Sequence, residues 1–370
     1  MAHEDRIALE RGGEGSTKTA GRRLRRWAVA GVVLAVTAAV VVLALRPQGS
    51  SPMSTPTGLS SPSPARAPTL GSVRGAPQVP DTGVLVGAWV KPQQGGKDAR
   101  LPSTISAYEE LAGRRLDIVH VYRTWNEPFP GPAESFAVQQ GSTPMISWTG
   151  TNTSDIIAGR YDDLIRQRAD ALRDLHSPVF LRWFWEMDRP DAQGKVGSPA
   201  DYVAAWRHLR SIFTAEHASN VSWVWCPTSI SFARGYGPRY YPGDDAVDWT
   251  CSDGYSGGSQ SGTRTRSFRQ VFQAFYDWAS QHPKPIMIGE FGVQKGAGDQ
   301  GQWLRDAAVT LREDFPQVKA VVYFDSARTG AGGGTLSWSL RDSQTGMSEL
   351  RSLLKQPYFN TRRLTGLQPN

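Results

Sequence analysis

A closed (β/α)8 barrel is the fold class the sequence predicts, and three observations carry it. Eight short apolar runs recur from residue 84 onward, helix-like stretches separate most of them, and no glycine-rich phosphate loop argues for an open doubly wound sheet. The runs are VLVGAWV (84 to 90), DIVHVYR (117 to 123), TPMISW (143 to 148), PVFLRWFWEMD (178 to 188), NVSWVWCP (220 to 227), VDWTCSDGYS (247 to 256), PIMIGEFG (285 to 292) and AVVYFD (320 to 325). Runs apolar on both faces suit parallel strands covered by helices. The clearest helices are SDIIAGRYDDLIRQRADALRDL with Ser154 as cap, SPADYVAAWRHLRSIFTAEH with Ser198 as cap, and SFRQVFQAFYDWASQ. Each carries apolar residues near the 3.6-residue period.

The chain has 370 residues, and a barrel of about 250 leaves roughly a hundred over. Residues 27 to 45, WAVAGVVLAVTAAVVVLAL, carry no charge, and at about 1.5 Å per residue they approach the roughly 30 Å of a bilayer core. Seven Lys or Arg residues precede them, while only Arg46, Arg66 and Arg74 follow before residue 84. This asymmetry predicts an uncleaved N-terminal transmembrane helix with the barrel outside the cell. Secretion after cleavage is the alternative, although the apolar stretch is long for a signal peptide and lacks a small-x-small site. Residues 46 to 83, rich in Pro, Ser, Thr and Gly, predict a disordered linker. The expected organisation is therefore a basic cytoplasmic tail (1 to 26), the membrane segment (27 to 45), the linker (46 to 83) and the barrel (84 to 360).

The net charge of +7 belongs mostly to the N-terminus: beyond residue 83 there are 31 basic against 29 acidic side chains. A nearly neutral folded part gives no phosphate-binding surface, so no nucleic-acid partner is expected. The six His residues are scattered and no CxxC or HExxH occurs, so neither a metal nor a cofactor is expected. Cys226 and Cys251, on neighbouring runs, can form a disulfide in an exported protein or remain two buried thiols. A monomer is expected.

Run ends such as EMD, SDGY, GEFG and YFD place polar residues where barrel strands give way to their following loops, the usual active-site face. Glu186 ends the fourth run and Glu290 lies in the seventh, so the two carboxylates project into one mouth from opposite sides. Two carboxylates flanking one groove suit glycoside hydrolysis, one protonated to assist the leaving oxygen and one ionised to attack the anomeric carbon. Glu186 follows Trp183, Phe184 and Trp185, an apolar setting that raises a carboxyl pKa, whereas an ionised Glu290 needs donors. Tyr255 is a candidate donor. Arg182 lies on the face of Glu186 one layer deeper, where it can neutralise carboxylates.

These segments carry a family resemblance. LRWFWEMD resembles the acid/base segment of glycoside hydrolase family 26, best known for β-mannanases, and IGEFG resembles its nucleophile segment. GAW, WVWCP followed by YYPGDDAVDW, SDGY, YFD and SWSLRDS extend the similarity over most of residues 84 to 345. The resemblance implies a TIM barrel in which Glu186 is the proton donor, Glu290 the nucleophile and Tyr255 the residue that orients it; Arg182 also matches. It further implies a retaining endo-β-1,4-mannanase. The family's usual His-Glu-Met-Asn is replaced here by Trp185-Glu186-Met187-Asp188, which removes an imidazole acceptor and adds apolar surface beside the cleavage point.

Trp89, Trp125, Trp148, Trp225 and Trp338 lie near run ends or adjoining loops, where indole faces stack on sugar rings, and Tyr323 stands at the end of the eighth run. Asp188, Asp253 and Asp325 offer polar neighbours for hydroxyls. Glu127, in WNEPFP, follows the second run and reads as a loop or subsite residue. The expected partner is a polysaccharide. Hydrolysis of another β-glycan (glucan, xylan or exopolysaccharide), a non-catalytic carbohydrate-binding protein and a surface adaptor for a protein partner are the alternatives.

Overall fold

Eight parallel strands close into one barrel: β1 (Leu85–Val90), β2 (Ile118–Arg123), β3 (Thr143–Trp148), β4 (Val179–Trp183), β5 (Val221–Trp225), β6 (Trp249–Ser256), β7 (Ile286–Val293) and β8 (Val318–Asp325). This computed structural model describes residues 75–92, 97–257, 265–329 and 335–362. The ring closes where β8 pairs with β1, in register from Leu85 opposite Ala320 to Val90 opposite Asp325. The predicted tail, the apolar segment 27–45 and linker residues 46–74 lie outside the described residues. Among the described residues no helix is long and apolar enough to cross a membrane.

Period-two alternation sorts the strands into an inner and an outer set, with a break in β7, whose register against β8 shifts between Ile288 and Phe291. Leu85, Ile118, Met145, Phe180, Val224, Met287 and Val322 fill the barrel interior. Val79, ahead of β1, and Trp185, beyond β4, pack against this inner cluster. Pro77 is buried as well. Residues 75–83, predicted as linker, thus include side chains that pack on the barrel.

Helices cover the outside. The stretches predicted to be capped by Ser198 and to begin at SFRQ form the helices Pro199–Ala215 and Phe268–Ala279. Ser198 and Asp201 cap each other reciprocally, as do Ser267 and Gln270. On the second of these helices the apolar stripe Phe268, Val271, Phe272, Phe275 and Ala279 is buried, at about 1.5–3 kcal/mol for each large side chain. The long helix predicted from Ser154 is instead two, Thr153–Ile157 and Asp162–Arg173, preceded by Asn152 and broken at Gly159 with φ +73°. A left-handed residue ends a helix, and glycine adopts it without a side-chain penalty.

Two irregularities shape the mouth. The β6–β7 register shifts between Ser252 and Asp253, which sets Asp253 opposite Glu290. At the end of β4 the ladder stops at Trp183, and Phe184 (φ +45°) and Glu186 (φ +52°) are both left-handed. Glu186 therefore stands on a turn past the strand, not on it as predicted. Two such residues cost about 1–3 kcal/mol each, a cost that the surrounding packing must offset. Phe184 swings outward onto Gly150, where an added Cβ would lie 1.8 Å from its ring.

Candidate active site

The interior of the mouth is built around one guanidinium. Arg182, fully buried on β4, donates through Nη1 to both oxygens of Asp253 at 2.8 Å, through Nε to Ser147 Oγ at 2.7 Å, and through Nη2 to Glu290 Oε1. His120 Nε2 lies 3.2 Å from the same Nη2 and 2.6 Å from Ser147 Oγ. Glu290 accepts two further bonds, from Tyr122 Oη to Oε1 at 2.6 Å and from Tyr255 Oη to Oε2. Donors from β2, β4 and β6 thus converge on one carboxylate presented by β7. Burial, and then the charge of Glu290, pushes both tyrosine hydroxyls well above their ordinary pKa, so they remain donors. Burial works against the charge of Arg182, but Asp253 and Glu290 outweigh it and hold the guanidinium protonated. Burial pushes Asp253 well up, opposed by Arg182 and helped by Glu290.

Glu186 is held differently. Its backbone N–H donates to the Cys226 carbonyl at 2.8 Å, and its Oε2 accepts from Arg189 Nη1 at 2.8 Å. Its pKa is raised, first by burial, against the pull of Arg189 and with the repulsion of Glu290 and Asp188. The predicted direction holds, with one of the three predicted aromatic neighbours on the mouth side. Trp183 stacks on Tyr202 behind the sheet and Phe184 points outward, so of the aromatic run only Trp185 faces the mouth. The half-buried Trp185 lies over Arg182 at 5.2 Å and beside Tyr122 at 5.1 Å, and Tyr122 meets Trp89 edge-on at 4.8 Å. Across Glu290, Tyr255 contacts Phe324 at 5.5 Å and Trp338 at 5.3 Å.

Glu186, Glu290, Tyr255, Arg182, Trp185 and Trp89 are therefore brought together. Other predicted contacts are not. Trp148 and Trp225 are fully buried outside the barrel, Trp148 stacked on Trp125 at 4.4 Å and Trp225 packed on Tyr241 and Trp278. Tyr323 is buried with its hydroxyl on the Trp338 carbonyl. Strand parity explains all three, because Ser147, Val224 and Val322 take the inward positions. Asp188 accepts from the Thr228 backbone N–H at 3.0 Å and from its hydroxyl, so it ties the β4 and β5 loops together rather than facing sugar. Asp325 is bound by Ser339, the Leu340 N–H and Arg341, and Glu127 by Arg123 and Thr124.

Sequence reasoning missed Tyr122, His120 and Arg189. The first two alternate in DIVHVYR on one inward face, which was the available signal; nothing marked Arg189. Cys226 and Cys251, left open above, are joined as a disulfide with Cα atoms 4.3 Å apart. Among the described residues the one group spaced to hold a cation is Cys226, Cys251 and Asp253, whose sulfurs are joined and whose carboxylate is on Arg182.

No protein-family model matches the chain. Among solved structures, the catalytic domain of a family 26 endo-β-1,4-mannanase from Bacillus sp. JAMB-750 superposes with a TM-score of 0.58 at 14% identity, over 76% of this chain and 88% of that one. A modular family 26 endo-β-1,4-mannanase from Cellulomonas fimi gives 0.54 at 17% identity, over 75% and 71%. In fold and in motif order, the chain resembles glycoside hydrolase family 26. Endoglucanase H of Acetivibrio thermocellus is 34% identical over 257 residues, which is 66% of this chain and 28% of that protein. Beta-1,3-xylanase TXYA of a Vibrio species is 30% identical over 156 residues, 40% of this chain and 31% of that protein. The chain thus spans less than a third of the length of these two relatives. The structure sets Glu186, Glu290, Tyr255 and Arg182 around one mouth.

Proposed function

We propose that the chain is a glycoside hydrolase that cleaves a β-linked polysaccharide by retaining double displacement. The observation that carries this is the contrast within one mouth: Glu290 fixed by three donors, and a buried Glu186 whose environment favours its proton. In the first step Glu290 attacks the anomeric carbon while Glu186 gives its proton to the departing oxygen, leaving a glycosyl ester on Glu290 and a carboxylate at Glu186. Glu186 then takes a proton from water as that water attacks the anomeric carbon, and Glu290 leaves as a carboxylate. Arg182, Tyr122 and Tyr255 hold Glu290 and aim it. Trp89, Tyr122 and Trp185 form an aromatic wall against which pyranose C–H faces pack.

The first substrate is β-1,4-mannan, in line with the two structural neighbours. β-Glucan and β-1,3-xylan follow from the names of the sequence relatives, and Trp185 in place of the family's histidine gives reason to test them on equal terms. The apolar segment 27–45, with its basic flank, supports a barrel tethered outside the cell membrane; recovery of a shortened soluble form alone from fractionated cells would defeat the tether.

The test is reducing-end release from mannan, glucomannan, xylan and mixed-linkage glucan, with Glu186→Ala and Glu290→Ala beside the parent and the anomeric configuration of the first product followed by NMR. Loss of activity in both variants and initial retention are expected. Inversion, or activity surviving Glu290→Ala, would sink the assignment, and a folded protein that binds glycan without turnover would make it a binding protein.

A further inference from the structure

Arg189 lies outside the motif that carries the family resemblance, yet it touches the acid. The turn after β4 folds it back: the Arg189 N–H donates to the Glu186 carbonyl at 3.1 Å, and Nη1 donates to Glu186 Oε2 at 2.8 Å. Asp191 holds the other side of the guanidinium, accepting from Nε at 3.0 Å and from Nη2 at 3.3 Å. Gln193 braces the turn by donating to the carbonyls of Met187 and Arg189. The Glu186 side chain is 11% exposed and that of Arg189 27%, so the pair stands where the mouth meets solvent.

The groups facing Glu186 pull in opposite directions. Glu290 on β7, Asp253 on β6 and Asp188 on the same loop bring carboxylates that disfavour its charge, and the Tyr255 hydroxyl on β6 is also coupled to it. Arg189 is the cation in contact. Double displacement needs the proton on Glu186 in its first half and off it in its second, so neither pull can be allowed to dominate. With Oε2 bonded to Arg189, the proton is left to Oε1.

We propose that Arg189 is a positioning residue for the acid/base: its guanidinium limits the proton affinity of Glu186 and presents Oε1 to the glycosidic oxygen. This rests on the reading of Glu186 as acid/base, so its test includes a readout independent of turnover. The full chain is labelled with 13C at the glutamate carboxyls, the Glu186 resonance is assigned by difference from Glu186→Gln, and its titration is followed in parent, Arg189→Ala, Arg189→Gln and Arg189→Lys, with thermal melts to confirm folding. An opposite charge at this distance is worth about 1–3 pH units. Arg189→Ala and Arg189→Gln are expected to move the midpoint of Glu186 upward by about one unit, and Arg189→Lys to leave most of the parent value. The basic limb of kcat/KM, which reports the proton on the acid, moves upward with it. An unchanged midpoint in Arg189→Ala, or a parent-like Arg189→Gln, overturns the proposal whether or not the chain hydrolyses glycan. A shifted midpoint in a chain without turnover would uphold the coupling while removing the function proposed for the site.

Discussion

Glu290 and Glu186 face one mouth and are supported by different means. Glu290 belongs to a strand in mid-barrel, and its two oxygens are gripped by side chains from three other strands. Glu186 stands beyond a strand on a left-handed turn, with one arginine at its edge. A nucleophile must meet the anomeric carbon from one fixed direction, which a ring of fixed donors provides. An acid/base must change charge state twice, and a carboxyl with balanced, opposed neighbours does so at lower cost.

The largest expected effects come from removing each carboxylate. Glu290→Ala should lower kcat by roughly 10⁴–10⁶-fold whatever the leaving group, as loss of a nucleophile does. Glu186→Ala should cost about 10²–10⁴-fold on polysaccharide; on an aryl glycoside, whose phenolate departs without a proton, kcat/KM should fall far less, while kcat still drops because the second step lacks its base. Rates on both substrate types check this. Equal losses for the two variants on the aryl glycoside would erase the distinction between the residues.

A second contrast separates tryptophans inside the mouth from those behind the sheet. Trp148→Ala should destabilise the fold by about 3–5 kcal/mol, as for other large buried aromatics, and leave KM near the parent value at temperatures where the variant is folded. Trp185→Ala should do the reverse, weakening binding by about 0.5–1.5 kcal/mol, a few-fold to tenfold in KM, with little change in melting temperature. Denaturant melts and KM values on both variants decide it. A raised KM in Trp148→Ala would mean that its burial behind β3 does not isolate it from the groove.

The same contrast marks how far the sequence could be read. The count of apolar runs predicts the barrel because parallel strands under helices carry a strong local signature. The motif order singles out Glu186, Glu290, Tyr255 and Arg182, and the structure brings them to one mouth. Proximity to run ends singles out the tryptophans, whereas inner or outer placement depends on parity: Trp148 follows an inward Ser147 and so faces the helices. The helix predicted from Ser154 ran through Gly159, whose left-handed backbone splits it. The close approach of Arg189 to Glu186 depends on two left-handed residues that no periodicity announces, so it was visible only in three dimensions.

The smallest effects, and the ones that sharpen the picture of Glu290, concern its two tyrosines. Tyr122 and Arg182 both donate to Oε1, whereas Tyr255 donates to Oε2. A hydrogen bond to a charged group contributes about 1.5–3 kcal/mol, so Tyr255→Phe should lower kcat by roughly 10–100-fold. Tyr122→Phe should cost less, because the guanidinium remains on the same oxygen. The double variant should fall short of the product of the two losses, since both hydroxyls stabilise one carboxylate and the first deletion already lets it move. Single and double variants assayed with a common aryl glycoside measure all three quantities. If Tyr122→Phe proved as damaging as Tyr255→Phe and the two losses multiplied, the donors would act independently, and the idea of a single cooperative grip on Glu290 would fail.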